Sequence, residues 1–210
     1  MVAWEMLTYI GTVAFAMSGS ISAMEEEYDI LGVYALGLVT AFGGGILRNL
    51  VIDASTLALW EQGDLLVTAL VASSVVYFAP KLWADHVRKW IFFDAVGLAA
   101  FAIQGALLAA QKQLPLAAII AAALLTGCGG GVIRDILARR KPLVFREEVY
   151  GVWAMLGGLV VAMGFGETGW EMYALFAGLL ALRMWSVRKG WRLPKRSFQS
   201  GLSGLAKREA

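Results

Sequence analysis

Residues 40–50 read TAFGGGILRNL and residues 126–136 read TGCGGGVIRDI, so three consecutive glycines and an arginine occur twice at a spacing of 86 positions. Each copy lies within a long apolar run. A glycine costs a helix interior roughly 1 kcal/mol relative to alanine, and an arginine near a bilayer centre costs about 2.5–3.5 kcal/mol or more. Two costly features that recur together predict a functional element.

The composition around these stretches is that of an integral membrane protein. Of the 210 residues, 59% are hydrophobic and 16% are charged, and the mean hydropathy is +0.67. A soluble domain of this length is less apolar, so lipid is an expected partner. The net charge of +2 is too small to indicate a nucleic-acid partner. The first apolar run lacks the basic start of a signal peptide, which predicts a retained span.

The apolar runs divide the chain into seven predicted transmembrane helices and an all-α fold. A helix needs about 20 mostly apolar residues to cross the hydrocarbon core, and the polar breaks between the runs are too short to hold a soluble domain. The predicted spans are Trp4–Ala23, Ile30–Val51, Leu65–Leu82, Trp90–Ala110, Leu114–Leu137, Val149–Phe165 and Trp170–Val187.

The basic residues predict how the spans are oriented. Lysine and arginine collect in the third break, in the fifth break and in the tail after the seventh span, whereas the second and sixth breaks contain neither. Because positive charges stay on the cytoplasmic side, the N-terminus is expected outside and the C-terminus in the cytoplasm. Lys112 is the one exception on the outer side.

The spacing of 86 continues well beyond the glycines, which predicts an internal repeat. Each repeat holds three spans, and an odd number reverses the direction of the chain, so the two repeats are predicted to be inverted in the membrane. We expect a first repeat over residues 1–87, a second over 88–167, a seventh helix over 168–190 and a basic cytoplasmic tail over 191–210. Further matched pairs are Trp4 and Trp90, Gly11 and Gly97, Phe15 and Phe101, Gly19 and Gly105, Ala23 and Ala109, and Thr40 and Thr126.

The glycine triplets allow two interpretations. They either let helices two and five kink or unwind, which exposes backbone carbonyl groups to a cavity between the repeats, or they let two helices pack closely. For one triplet alone close packing is the better explanation, and the duplication favours kinks that line a pathway. The predicted kink residues are Gly43, Gly44, Gly45, Gly129, Gly130 and Gly131.

Several polar residues near the triplets are candidate pore or gating groups. Ser18 and Ser22 share one face of the first span, where their hydroxyls either line a pore or bond back to their own helix. Arg134 needs a carboxylate partner, and Asp135 and Asp94 are the candidates. The first repeat has neutral residues at the two equivalent positions, so its arginine is not neutralised in the same way. The full set is Arg48, Arg134, Asp135, Asp94, Ser18, Ser22, Thr40 and Thr126.

The chain carries no motif for enzymatic chemistry. It has no Walker loop, no H-E-x-x-H and no cluster of cysteine with histidine. We therefore expect no catalytic residue, no bound metal and no cofactor. Cys128 is expected to be a small packing residue.

Five stretches together resemble the bacterial branch of the trimeric intracellular cation channel family, which is also grouped under a domain named for glycine transport. The resemblance extends from about Met6 to Arg183, and the doubled GGGxxR motif is its most specific part. The stretches are FAMSG at 15–19, VTAFGGGILRN at 39–49, FDAVGLAAFAIQGA at 93–106, LTGCGGGVIRD at 125–135 and KPLVFREEVYG at 141–151.

The resemblance implies a homotrimer with one pore in each protomer, kinks in helices two and five, and permeation of monovalent cations, chiefly K+, with Na+ as the other candidate ion. It places Arg48 and Arg134 beside the pore. Asn49 departs from the aspartate that the family usually has after the first arginine, which argues against a symmetric pair of arginine–aspartate gates.

These features allow three functions. The first is a passive cation channel of the bacterial plasma membrane, in which the arginines must be neutralised or act as a gate. The alternative is a secondary transporter of glycine or another small zwitterion, in which an arginine holds the carboxylate. A non-conducting scaffold explains seven spans but not the duplicated glycines and arginines.

Overall fold

The computed structural model describes residues 2–52, 62–81, 89–146, 149–191 and 193–194, and these residues form helices and connecting turns. Four of the helices are long and apolar enough to cross a membrane by length and composition, and two further apolar helices are shorter. In chain order the helices are α1 (Val2–Glu25), α2 (Ile30–Val51), α3 (Gly63–Phe78), α4 (Lys89–Gln111), α5 (Leu116–Leu137), α6 (Leu143–Arg146), α7 (Tyr150–Ala162) and α8 (Gly169–Lys189).

Helices α1 and α4 form the centre of the molecule. In the most apolar stretch of each, 72% of the residues are buried, against 39% in α2 and 50% in α5. Helix α1 packs on α2 and α3, and α4 packs in the same way on α5 and α7. Helix α8 lies against α1, α4 and α7.

The helix boundaries correct two of the predicted spans and add one element. The third helix ends at Phe78, before Leu82, because Pro80 follows and disfavours a helical residue before it. Helix α7, which corresponds to the sixth predicted span, ends at Ala162 and not at Phe165. The chain turns there because Gly164 and Gly166 adopt positive φ angles of 88° and 106°. The short helix α6 lies in the fifth break, where no helix was expected.

Related contacts connect the two halves. A Cβ atom added at Gly11 would meet the ring of Phe101, and one added at Gly97 would meet the ring of Phe15. The two rings touch edge to face at 5.3 Å between centroids. The shift of 86 pairs Gly11 with Gly97 and Phe15 with Phe101, so each contact is the repeat equivalent of the other. This is the pattern expected when a two-fold axis relates α1 to α4.

The connections from α1 to α2 and from α4 to α5 share one backbone conformation. Glu27 and Gln113, which the shift of 86 pairs, have left-handed φ angles of 57° and 56°. Asp29 caps α2 by accepting a hydrogen bond from the backbone N–H of Gly32, at 2.8 Å, whereas Pro115 precedes α5. Different residues thus start two equivalent helices.

Candidate functional site

The two glycine triplets lie where α2 crosses α5. A Cβ atom at Gly44 would overlap the carbonyl oxygen of Thr126, and one at Gly130 would overlap the carbonyl oxygen of Thr40. Only glycine allows two backbones to approach this closely. The crossing therefore explains why the middle glycine of each triplet carries no side chain.

Both helices continue through their triplets without interruption. The expectation that the backbone unwinds there is therefore wrong, because the glycines serve close contact while the helical hydrogen bonds persist. A bend of either helix axis stays a prediction. The hydroxyls of Thr40 and Thr126 each donate to a carbonyl of their own helix, Leu36 O and Ala122 O, at 2.6 Å.

Arg134 lies at the centre of a buried charge cluster at one end of this crossing. Its side chain has no solvent exposure. Nη1 donates to Asp94 Oδ1 at 2.6 Å and to Ser18 Oγ at 2.7 Å, and Nε donates to Asp135 Oδ1 at 2.9 Å. The two candidate carboxylates of the sequence analysis therefore both contact the arginine, and α1, α4 and α5 meet at its guanidinium.

The cluster extends through aromatic rings and backbone. The guanidinium carbon of Arg134 lies 4.8 Å from the ring centroid of Trp90, within the range of a cation–π contact. Ser18 Oγ also donates to the backbone carbonyl of Trp90 at 3.3 Å. Asp135 Oδ2 accepts from the backbone N–H of Leu143 at 3.0 Å, which fixes the start of α6.

Two residues of the cluster were missed by the sequence analysis. Tyr150 of α7 is buried, with its hydroxyl close to Arg134, and the guanidinium carbon of Arg183 on α8 lies 4.6 Å from the Tyr150 ring centroid. Arg183 is 1% exposed. An arginine inside the seventh apolar run was itself a signal, since charged residues within spans mark sites.

In the described part of the first repeat, the equivalent place has no buried ion pair. Arg48 is half-buried, and its Nε and Nη2 atoms donate to Asn49 Oδ1 at 3.0 and 2.8 Å. Within the described ranges no carboxylate lies within ion-pair distance of Arg48. The side chain therefore turns to its neighbour instead of entering the space between α1 and α4.

Gln104 occupies that space. Its Nε2 donates to Thr8 Oγ1 at 2.7 Å and to the carbonyl oxygen of Trp4 at 3.3 Å. The shift of 86 pairs Gln104 with Ser18 and Thr8 with Asp94. A neutral amide thus lies between α1 and α4 at this end, whereas an ion-paired guanidinium lies at the other.

The remaining predicted residues lie near the cluster without joining it. Ser22 is buried, and its hydroxyl bonds to nothing in the part of the chain that the structure describes. Gly43 faces Ile133 and Gly129 faces Leu47, a further pair of contacts that the shift of 86 exchanges. Cys128 is buried. Among residues outside the gaps in the description, no group of histidine, cysteine or carboxylate side chains is arranged to hold a metal ion.

A basic side chain holds the turn at each end of the crossing. Arg140 contacts Glu25 at 2.8 Å and Glu26 at 2.6 Å. Burial lowers the pKa of Arg140, but hydrogen bonds and charge from the two glutamates outweigh it, so the pKa is raised. At the other end Lys112 Nζ donates to the carbonyl oxygen of Ile52 at 3.2 Å, at the end of α2. Lys112, the exception to the charge rule, thus has a structural role.

Comparison with known proteins connects this arrangement to a family. The family model described as "Glycine transporter" matches residues 5–81 and again residues 91–166. The two matches begin 86 positions apart, in agreement with the internal repeat.

The relatives are bacterial membrane proteins. The UPF0126 membrane protein YvgT of Bacillus subtilis is 56% identical over 198 residues, which cover 94% of this chain and 98% of that protein. A UPF0126 membrane protein of Deinococcus radiodurans is 35% identical over 194 residues, covering 90% of each chain. This chain is therefore a membrane protein.

Solved structures share the fold over nearly the full length. One is described as "Structural basis for conductance through TRIC cation channels". Its sequence is 33% identical and its TM-score is 0.81, and the match covers 92% of this chain and 97% of the chain in that structure. The TRIC trimeric intracellular cation channel orthologue from Rhodobacter sphaeroides is 29% identical, with a TM-score of 0.83, and covers 90% of this chain and 100% of that chain. With the doubled glycine crossing and the full-length likeness, this chain belongs to the TRIC family.

Proposed function

We propose that this chain is a passive channel for monovalent cations, chiefly K+, in the plasma membrane of a bacterium. The observation that carries the proposal is its likeness to a TRIC cation channel over nearly the whole length of both chains. Membership in this family of membrane channels also means that the chain is not an enzyme. K+ or Na+ acts as the permeant ion and not as a bound cofactor.

The charge cluster supports a cation pathway. A fixed positive charge repels a passing cation, and at an effective dielectric constant of 20 two unit charges 4 Å apart interact by about 4 kcal/mol. Two carboxylates at hydrogen-bond distance offset this repulsion at Arg134. Arg48 is held by a neutral amide and therefore acts as a barrier or gate at its end of the path.

The assembly follows the same family. Relatives of known structure are described as trimeric channels, and we propose a homotrimer with one pore in each protomer and lipid around it. The seven longer helices cross the membrane, with the N-terminus outside and the C-terminus in the cytoplasm. Two inverted repeats over 1–87 and 88–167, a seventh helix over 168–190 and a basic tail over 191–210 complete the arrangement.

Glycine transport is the weaker candidate. A transporter needs an arginine that is available to a substrate carboxylate, and the Nε and Nη1 atoms of Arg134 already donate to Asp135, Asp94 and Ser18. In the proposed channel the duplicated glycines serve the helix crossing, and no substrate carboxylate has to be bound.

Purified protein in liposomes tests the function directly. K+ flux and uptake of labelled glycine are measured in parallel, with protein-free liposomes as the control. We expect K+ flux that follows the gradient and no concentrative glycine uptake. Glycine uptake without K+ flux would reject the channel.

Cysteine labelling tests the orientation. A cysteine placed at Glu167, in the break before α8, should react with an impermeant thiol reagent from outside intact cells, and one placed at Lys141 should not. Cys128 is buried and provides the unlabelled background. The reverse pattern would reject the proposed topology without affecting the channel function.

A further inference from the structure

Polar atoms of three side chains lie around the Cβ position of Gly131 on α5. A Cβ atom at this glycine would lie 3.2 Å from Asp94 Oδ1, 3.2 Å from Tyr150 Oη and 3.6 Å from Arg134 Nη2. At Gly45, which the shift of 86 pairs with Gly131, the nearest such atom is Arg48 Nη2 at 3.7 Å. Among the described residues, three polar groups therefore converge on Gly131, and one lies near Gly45.

Each of the three side chains has an atom with unused hydrogen-bonding capacity, which for Asp94 is Oδ2 and not the Oδ1 atom that lies nearest to Gly131. Asp94 Oδ2, Tyr150 Oη and Arg134 Nη2 are buried and make no hydrogen bond to any residue within the described ranges. Arg134 Nη2 lies 2.8 Å from Asp135 Oδ1, but its N–H is not oriented for a hydrogen bond. Buried polar groups are nearly always paired, with protein or with ordered water.

We propose that these three groups hold one ordered water molecule above Gly131. The water accepts a hydrogen bond from Arg134 Nη2, donates one to Asp94 Oδ2 and forms a third with Tyr150 Oη, and three partners are typical of a buried water. A cation would face the guanidinium of Arg134, and an anion would face the carboxylate of Asp94. A neutral molecule that both donates and accepts fits all three groups.

The proposed water connects three helices. A direct hydrogen bond links Asp94 with Arg134, but none links the Tyr150 hydroxyl with either residue. Asp94 is on α4, Arg134 on α5 and Tyr150 on α7, and the Tyr150 ring lies beneath Arg183 of α8. The ion pair that neutralises Arg134 is thereby connected to α8. The water site does not depend on the proposed function, because the polar groups require it whether or not the protein conducts.

A structure of the purified protein at a resolution that shows ordered water tests the proposal. We expect density within hydrogen-bond distance of Tyr150 Oη and Asp94 Oδ2. A direct hydrogen bond between those two side chains, with no density between them, would overturn the proposal.

Thermal unfolding of Tyr150→Phe gives a second test. The variant keeps the ring beneath Arg183 and removes only the hydroxyl, so the protein is expected to fold. Tyr34→Phe is the matched control, because the Tyr34 hydroxyl shares a direct hydrogen bond with Ser74 Oγ at 2.7 Å. If Tyr150 is bonded through water, both variants lower Tm. An unchanged or raised Tm for Tyr150→Phe alone means that its hydroxyl had no partner to lose, and the water site is then rejected.

Discussion

Arg134 and Arg48 occupy equivalent positions in the two repeats, yet one is buried between two carboxylates and the other is half-buried beside an amide. The difference follows from two pairs of residues. Asp94 stands where the first repeat has Thr8, and Asp135 stands where it has Asn49. A guanidinium enters the protein interior only where its charge is compensated. The two repeats therefore have similar backbones, but the arginine is buried in the second repeat and half-buried in the first.

The same comparison separates two roles of the duplicated motif. The glycine contacts are exchanged by the shift of 86, so the crossing of α2 with α5 is common to both repeats. The buried ion pairs of Arg134 with Asp94 and Asp135 have no counterpart among the described residues of the first repeat. Changes at the crossing should therefore act equally in the two repeats, and changes at the arginines should act unequally.

The largest expected effect is that of Asp94→Asn. It leaves Arg134 with one carboxylate fewer in a buried site, and breaking a buried ion pair costs about 3–5 kcal/mol. Thermal unfolding of the purified protein should show a large loss of stability. Thr8→Val, at the equivalent position, removes a hydroxyl that accepts a hydrogen bond from Gln104 and donates one to the carbonyl oxygen of Trp4. It should cost about 1–2 kcal/mol. Equal losses in the two variants would contradict the difference between the ends.

Alanine at the glycine crossing should have an intermediate and symmetric effect. Gly44→Ala and Gly130→Ala each force a methyl group against a backbone carbonyl of the other helix, and overpacking costs about 1–3 kcal/mol. Gly45→Ala is the control, because its added methyl group would make only an ordinary van der Waals contact. This variant should be neutral or more stable by up to about 1 kcal/mol. The measurement is again Tm, and a large loss in the control alone would contradict the crossing.

Leucine substitutions at Gly44 and Gly130 distinguish a role of these glycines in bending from a role in close helix packing. If these glycines only provided a bend, leucine would straighten the helices and leave assembly intact. The close approach of the two backbones predicts instead that the double variant fails to assemble. Size-exclusion chromatography in detergent distinguishes these results, and a normally assembled but non-conducting double variant would restore the bending role.

The smallest expected effect is at the partly exposed ion pairs of Arg140. Arg140→Gln breaks the contacts with Glu25 and Glu26, and partly exposed ion pairs contribute about 0–1 kcal/mol. The loss in Tm should shrink further at high salt. Arg139→Gln, at an exposed neighbour, serves as the control and should change Tm less.

The sequence predicted most of the scaffold. The helix Ile30–Val51 matches its predicted span, because an apolar run bounded by a capping aspartate defines a helix locally. The predicted contact of Arg134 with a carboxylate is also present, since a charge in an apolar segment needs a partner.

Other features depend on distance in space and escaped prediction. Tyr150 and Arg183 reach the cluster from α7 and α8, and no local pattern indicates which buried side chains meet across helices. Gln104 was detectable in principle, because it is the repeat partner of Ser18. The uninterrupted helices at the triplets show that glycine alone does not distinguish bending from close packing.

K+ flux through single variants in liposomes tests the central claim that Arg134 is neutralised while Arg48 forms the barrier. Arg48→Ala should preserve or increase K+ flux, because it removes a positive charge without unpairing any carboxylate among the described residues. Arg134→Ala should reduce the yield of assembled protein, since Asp94 and Asp135 lose their buried partner. If Arg48→Ala abolishes K+ flux in a stably assembled protein, Arg48 is required for conduction and the account is contradicted.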